Sequence, residues 1–263
     1  MNINQLECLI HQRIENVKDN FCISIHTDEG SIVSNASKKI RAASIVKLPI
    51  LIETYRQIEK DLLSLERLVY VEKDMMVNGA GIINYLTNSH VYSYENLMEL
   101  MIIISDNTAA NILLDTVGME NVNKLNTLIG CKNTQLERKF MDVQAQESGL
   151  DNFISAEDTM LFLKLISNKN TIINDNSRSQ IMKMMLNQQF KHKLPKKFIL
   201  DDQIDIHHKT GELPGLEHDA AIIKYRGKTL HAAVLSSGWE NNAIAQEYIA
   251  DIGSLLVNYL KSG

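Results

Sequence analysis

The chain has 263 residues and a formal net charge of −5, with 44% apolar and 22% charged side chains. These are the proportions of an ordinary soluble globular protein, long enough to bury a sizeable core. The acidic balance, with no basic block beyond the short cluster from Lys191 to Lys197, argues against a nucleic-acid partner. No segment approaches the ~20 apolar residues of a membrane span, which argues against a membrane partner.

Three widely spaced cysteines, Cys8, Cys22 and Cys131, read as free thiols in a reducing compartment. The first residues, Met1 to Glu7, show neither a basic n-region nor an apolar h-region. The expected location is therefore cytoplasmic, although a chain trimmed of an export signal reads the same way.

Residues 3–18 carry Leu6, Leu9, Ile10, Ile14 and Val17 at helical spacing. Residues 21–27 alternate, Phe21, Ile23 and Ile25 against Cys22, Ser24 and His26; Asp28-Glu29-Gly30 turns, and residues 31–34 return as a second strand. From Ser44 to about Leu200 the pattern predicts helices: from Ser44 to about Lys60, over 94–104, from Asn107 to Val117, from Ser155 to Asn168 behind a near capping box, and from Ser177 to Leu186. Residues 137–154 are polar and aperiodic, and long loops in compact domains are often functional.

Strands follow at 204–208, 219–225 and 229–236, the last two a hairpin across Arg226-Gly227-Lys228, and an amphipathic helix runs from about Asn242 to Leu260. Segregated strands and helices make the fold class α+β. The two ends, 1–40 and 203–263, build one antiparallel sheet flanked by the terminal helices, and 41–202 forms a helical lobe. A cleft between lobes is the usual place for a site.

Ser44-Ile45-Val46-Lys47 puts a serine and a lysine on one helix face. A serine hydroxyl is a weak nucleophile until a base takes its proton, and burial lowers a lysine's pKa enough to make it that base. Lys47 is the only charge between Arg41 and Glu53, and the free N–H groups of a helix N-terminus favour an oxyanion. Taken alone, a Ser-x-x-Lys pair reads first as an N-cap and a solvated lysine, a reading that the apolar surroundings here count against. Ser105-Asp106-Asn107, between two helices, reads as a cap, and Lys209-Thr210-Gly211 as a strand end with a glycine turn. The three in this order, on helix, helix junction and strand, form the set found in class A β-lactamases and penicillin-binding proteins.

The sequence thus resembles the serine β-lactamase and penicillin-binding protein superfamily, class A-like branch, from about residue 20 to the end. The resemblance implies a five-stranded antiparallel sheet beside an all-helical lobe. It implies Ser44 as the acylated nucleophile, Lys47 as its proton partner and Ser105 as the relay to the leaving nitrogen. Lys209 would supply positive charge near Ser105 and the substrate carboxylate, Asn107 would hold the substrate amide side chain, and Thr210 of Thr210-Gly211 would hold the carboxylate. The N–H groups of Ser44 and Glu212 would form the oxyanion hole. The expected partner is a small β-lactam or a peptide or ester substrate, handled by a monomer without a cofactor.

This chain departs from the family pattern in places. The place of the water-activating glutamate falls on Met141; Asp142 beside it is the best substitute and Glu147 the second. The arginine that supports the substrate carboxylate is missing, and His218 stands in that region as its candidate replacement. Ala43 precedes the nucleophile where some relatives carry a bridged cysteine. His207, His208 and His218 lack the carboxylate or cysteine spacing of a metal site. The expected activity is β-lactam hydrolysis through an acyl-enzyme on Ser44. The alternative is a penicillin-binding, esterase, amidase or peptidase-like hydrolase with weak or no lactamase activity.

Overall fold

A computed structural model describes residues 1–198 and 201–262. Ile199 and Leu200, at the expected end of the helical middle, and Gly263 lie outside the described residues. The chain opens with α1 (Ile3–Ile14), capped by Asn2 in a reciprocal capping box with Gln5. The hairpin of β1 (Phe21–Thr27) and β2 (Gly30–Ser34) follows, then the short β3 (Ile40–Arg41) and α2 (Lys47–Ile58).

The middle contains β4 (Leu68–Tyr70), β5 (Val91–Ser93), α3 (Tyr94–Ile103), α4 (Asn107–Val117), α5 (Met119–Leu128), α6 (Val143–Glu147), β6 (Phe153–Ile154), α7 (Ala156–Ser167) and α8 (Asp175–Leu186). The chain closes with β7 (Asp205–Leu213), β8 (Leu216–Tyr225), β9 (Lys228–Ser237) and α9 (Asn242–Lys261).

The sheet is antiparallel in the order β2-β1-β9-β8-β7, which leaves β7 at an edge. Period-two alternation divides its side chains between two cores. Phe21, Ile23, Ile25, Ile223, Ala232 and Val234 pack with Leu6, Ile10, Ile249 and Leu256 of the terminal helices. Cys22, Ile222, Ala233 and Leu235 face the helical lobe and join its core with Leu48, Leu97, Met101, Leu113 and Phe162. The fold is the expected α+β arrangement with a five-stranded sheet.

Some elements differ from expectation. The first helix stops at Ile14 and passes into a 3-10 turn over Glu15–Asn20. Ser44 lies in a 3-10 turn, Ala43–Val46, and the α-helix begins only at Lys47. α5 was not expected: it buries only Val122, Leu125 and Asn126, too thin an apolar stripe to signal a helix. Gly118, at φ +83°, turns the chain sharply from α4 into it. β7 runs on to Leu213, beyond the expected 204–208: pairing with β8 continues to the turn, and the polar residues of its site end carry no strand-like alternation.

Candidate active site

Four elements meet where the lobes join. The 3-10 turn presents Ser44, half-buried, on the wall of a cavity of about 260 Å³. Lys47, one turn on, is fully buried. Its ammonium donates to Ser105 O (2.6 Å), Ser105 Oγ (3.1 Å) and Asn107 Oδ1 (2.8 Å) and stands 4.6 Å from the centre of the Phe140 ring. Burial drives its pKa from 10.5 down to about 7, and the Asp106 carboxylate opposes that shift only in part. An amine near neutrality gives up its proton readily enough to act as a base for serine.

Ser105 is buried and held at φ +59°, a left-handed backbone that a non-glycine residue adopts only under local constraint. The constraint comes from Asp106. Its Oδ2 accepts from Ile82 N (2.7 Å) and Ile83 N (3.1 Å), and its Oδ1 caps α4 through Ala109 N (3.0 Å). Gly81, at φ +121°, lets that loop approach: a Cβ there would lie 2.2 Å from Asp106 Oδ2. Asn107 lines the cavity with its amide engaged, donating to Asn78 O (3.2 Å).

From the sheet side, Lys209 donates to Ser105 Oγ (2.9 Å) and to Thr210 O (2.9 Å). It too is fully buried, and desolvation, followed by the charges of Lys47 and Lys193, lowers its pKa well below 10.5. Gly211 brings β7 against the nucleophile turn, where a Cβ would meet Ile45 Cγ1 at 3.1 Å and Ser44 N at 3.3 Å. Glu212 reaches the cavity wall with Ser44. Thr210 follows Lys209 in the strand and is 4% exposed, outside the set of residues that wall the cavity.

The structure therefore gathers Ser44, Lys47, Ser105, Asn107, Lys209, Gly211 and Glu212. It does not gather Asp142 or His218. Asp142 is the N-cap of α6, its Oδ1 accepting from Ala145 N at 2.9 Å, and it does not line the cavity; Met141, at φ +62°, does, and Glu147 is exposed. His218 is fully buried, with Nε2 2.9 Å from Arg41 O and Nδ1 accepting from Ser236 N at 3.1 Å. Both ring nitrogens are committed, and burial drives its pKa down to about 4, so it is a neutral structural histidine and not a carboxylate ligand.

Sequence reasoning missed the frame of the loop below the cavity. Arg138 pairs with Asp151 (Nη2–Oδ1, 2.8 Å), their side chains 10% and 13% exposed. Asn152 Oδ1 accepts from Glu137 N and Arg138 N, and Asn111 clamps Phe140 through both N–H and C=O. The sequence signal was the polar density of 137–154, which carries no geometry by itself.

Among the described residues one His/Glu cluster, His192, Glu212 and Glu217, has metal-like spacing, but the Lys193 ammonium is already ion-paired to Glu217 within it. No helix of the described residues is long and apolar enough to cross a membrane.

The profile of the β-lactamase enzyme family matches residues 8–260, and the chain belongs to that family as a serine β-lactamase-like hydrolase. Among solved structures it is similar to the β-lactamase of Sphaerobacter thermophilus, at 23% identity over 98% of this chain and 97% of that one, with a TM-score of 0.89. It is similar to the β-lactamase of Chitinophaga pinensis, at 20% identity, covering 99% of this chain and 100% of that one, with a TM-score of 0.87. A variant of PBP-A solved as an acyl-enzyme complex with penicillin G is 22% identical, covers 99% of this chain and 98% of that one, and has a TM-score of 0.86. Among curated proteins no sequence matches the chain.

Proposed function

We propose that the chain transfers the carbonyl of a β-lactam onto Ser44 and releases it to water. The observation that carries this reading is the buried bridge in which Lys47 and Lys209 both donate to Ser105 Oγ. With Lys47 neutral, its lone pair takes the Ser44 proton as Oγ bonds to the carbonyl carbon. The oxyanion forms between the N–H groups of Ser44 and Glu212, a device worth about 3–4 kcal/mol per donor in well-studied hydrolases. As the C–N bond breaks, Ser105 gives its proton to the leaving nitrogen and is reprotonated from Lys47. The product is an ester on Ser44 with all protons accounted for. The penicillin G adduct of the PBP-A variant supports a β-lactam as the acyl donor.

The second half-reaction requires an activated water, and Met141 favours a second reading. The carboxylates on the cavity wall are Asp151, paired to Arg138, and Glu212, which lies near His192 and Lys193. With Met141 where a base is needed, the acyl-enzyme persists and the chain behaves as a penicillin-binding hydrolase of a peptide or ester. Intact-protein mass after mixing with benzylpenicillin, followed from seconds to hours, tests both. A transient adduct with loss of the drug supports turnover, and a lasting adduct supports the second reading. No adduct on the wild type, with the drug intact, overturns the lactam assignment.

A further inference from the structure

Lys193 is fully buried on the face of the sheet that carries Thr210, Glu217 and Asp219. Leu194 beside it packs with the terminal-helix core, and Gly253 of α9 leaves room for its carbonyl: a Cβ there would lie 2.0 Å from Leu194 O. The Lys193 ammonium donates to Gly211 O (2.9 Å) and His218 O (3.3 Å) and is ion-paired to Glu217. Glu217 is held in turn by Asn242 Nδ2 and Gln246 Nε2, each 2.9 Å from Oε1. A buried lysine supported this thoroughly has a defined aim, and it is aimed at two backbone carbonyls.

Those carbonyls belong to register partners, Gly211 and His218. One ammonium reaches both only if both point into the gap between β7 and β8, as in a hydrogen-bonded antiparallel pair. The C=O of Gly211 and the N–H of Glu212 belong to one trans peptide plane and point in opposite directions. The Glu212 N–H therefore points out of the free edge of β7, where Ser44 stands on the same cavity wall.

We propose that Lys193 is a positioning residue for acyl transfer: clamped by Glu217, it fixes and polarises the Gly211–Glu212 peptide so that the Glu212 N–H is a stronger donor to the oxyanion. A cation on an amide oxygen draws charge through the amide resonance and strengthens the hydrogen bond given by the attached N–H. Lys193 touches no substrate. The inference rests on the acyl-transfer reading above, because only a developing oxyanion gives that N–H a task.

The test is Lys193→Met/Glu217→Gln, which removes both charges while leaving an acceptor for Asn242 and Gln246. Replacing a buried ion pair as a unit is tolerated far better than breaking it. Three readouts apply: the amide proton shift of Glu212 in the ligand-free protein, the second-order rate of acylation by benzylpenicillin, and the carbonyl stretch of the acyl-enzyme ester. The expected result is a folded protein whose Glu212 amide proton moves upfield. Its acylation is slower by about tenfold, a part of the 10²–10³ that loss of a whole oxyanion donor costs, and its ester stretch lies at higher wavenumber.

A folded double variant with an unmoved Glu212 amide, or with unchanged acylation and ester stretch, overturns the proposal and leaves Lys193–Glu217 as a fold pair. Should the variant fail to fold, Lys193→Leu/Glu217→Leu is the second variant and is read in the same way. If benzylpenicillin fails to acylate even the wild type, it is the acyl-transfer reading that falls, and the ligand-free Glu212 shift still decides whether Lys193 polarises this peptide.

Discussion

Ser105 Oγ stands 2.9 Å from Lys209 Nζ and 3.1 Å from Lys47 Nζ, so a single hydroxyl receives hydrogen bonds from two buried lysines. A hydroxyl has two lone pairs and one proton. With both lone pairs occupied, its proton is left free to be given away, which is what a relay to a leaving nitrogen requires. Two ammonium groups on one oxygen also repel, and burial penalises both, so the pair readily sheds one proton.

The pH dependence follows from Lys47, whose pKa is near 7. In the proposed mechanism the neutral amine is the base, so acylation should fall as pH drops below the pKa and level off above it. The acylation rate should rise about tenfold between pH 5 and 6 and about fivefold more by pH 7, where it reaches about half its plateau. Adduct formation measured by intact mass across pH 5–9 checks this, and a flat profile rules out Lys47 as the base. Lys47→Met should acylate at least about 10²-fold more slowly at every pH.

On the second reading proposed above, Met141 on the cavity wall is what limits deacylation. Met141→Glu places a carboxylate on the cavity wall, and because both side chains are unbranched the positive φ of +62° costs them about the same. The penicilloyl adduct should clear about 10²-fold faster in this variant. Asp142→Asn should leave the clearance rate within about twofold, since Asp142 caps α6 away from the cavity and asparagine caps as well as aspartate. A large slowing in Asp142→Asn would restore Asp142 as the base.

The contrast between Asp142 and Lys47 shows where sequence is informative. Lys47 was legible because its environment is local: an isolated charge in an apolar helical run has to be buried. The alternation of Phe21, Ile23 and Ile25 likewise fixed the strand and its two faces. Asp142 and His218 were assigned by position along the chain, and position cannot tell where a side chain points. Asp142 turns into its own helix, and His218 is absorbed by Arg41 O and Ser236 N, backbone groups distant in sequence or on a neighbouring strand. Lys193 went unread for the same reason. In the chain it is one of several lysines between Lys191 and Lys197, and only the packing of Leu194 against α9 carries it under β7.

Of the glycines around the site, Gly81 is the one where an added Cβ would meet its neighbour most closely. Gly81→Ala would put Cβ 2.2 Å from Asp106 Oδ2 and 2.7 Å from Asp106 Cα, at a φ that alanine rarely adopts. The loop must withdraw and take the Ile82 and Ile83 N–H groups off Asp106, which loosens the left-handed turn at Ser105. A loss of about 3 kcal/mol of stability, measured by urea unfolding, and acylation slower by about 10²-fold are expected. Wild-type acylation in Gly81→Ala would mean that Ser105 keeps its place without this loop.

The Arg138–Asp151 pair links stability to the pH profile. It closes the neck of the loop that carries Phe140 beside Lys47. Asp151→Asn leaves the Arg138 guanidinium, 10% exposed, without its counter-charge. Breaking such a pair from one side should cost about 3 kcal/mol, seen as a lower melting temperature and faster tryptic cleavage after Lys139. A loosened loop also admits water around Lys47. Burial is the largest cause of its lowered pKa, so partial solvation raises that pKa toward 10.5. The acylation midpoint should then move above pH 7, and at pH 6 the variant should lose more activity, relative to wild type, than at pH 9. A midpoint left at pH 7 in a protease-sensitive variant would show that Phe140 and its loop do not set the environment of the base.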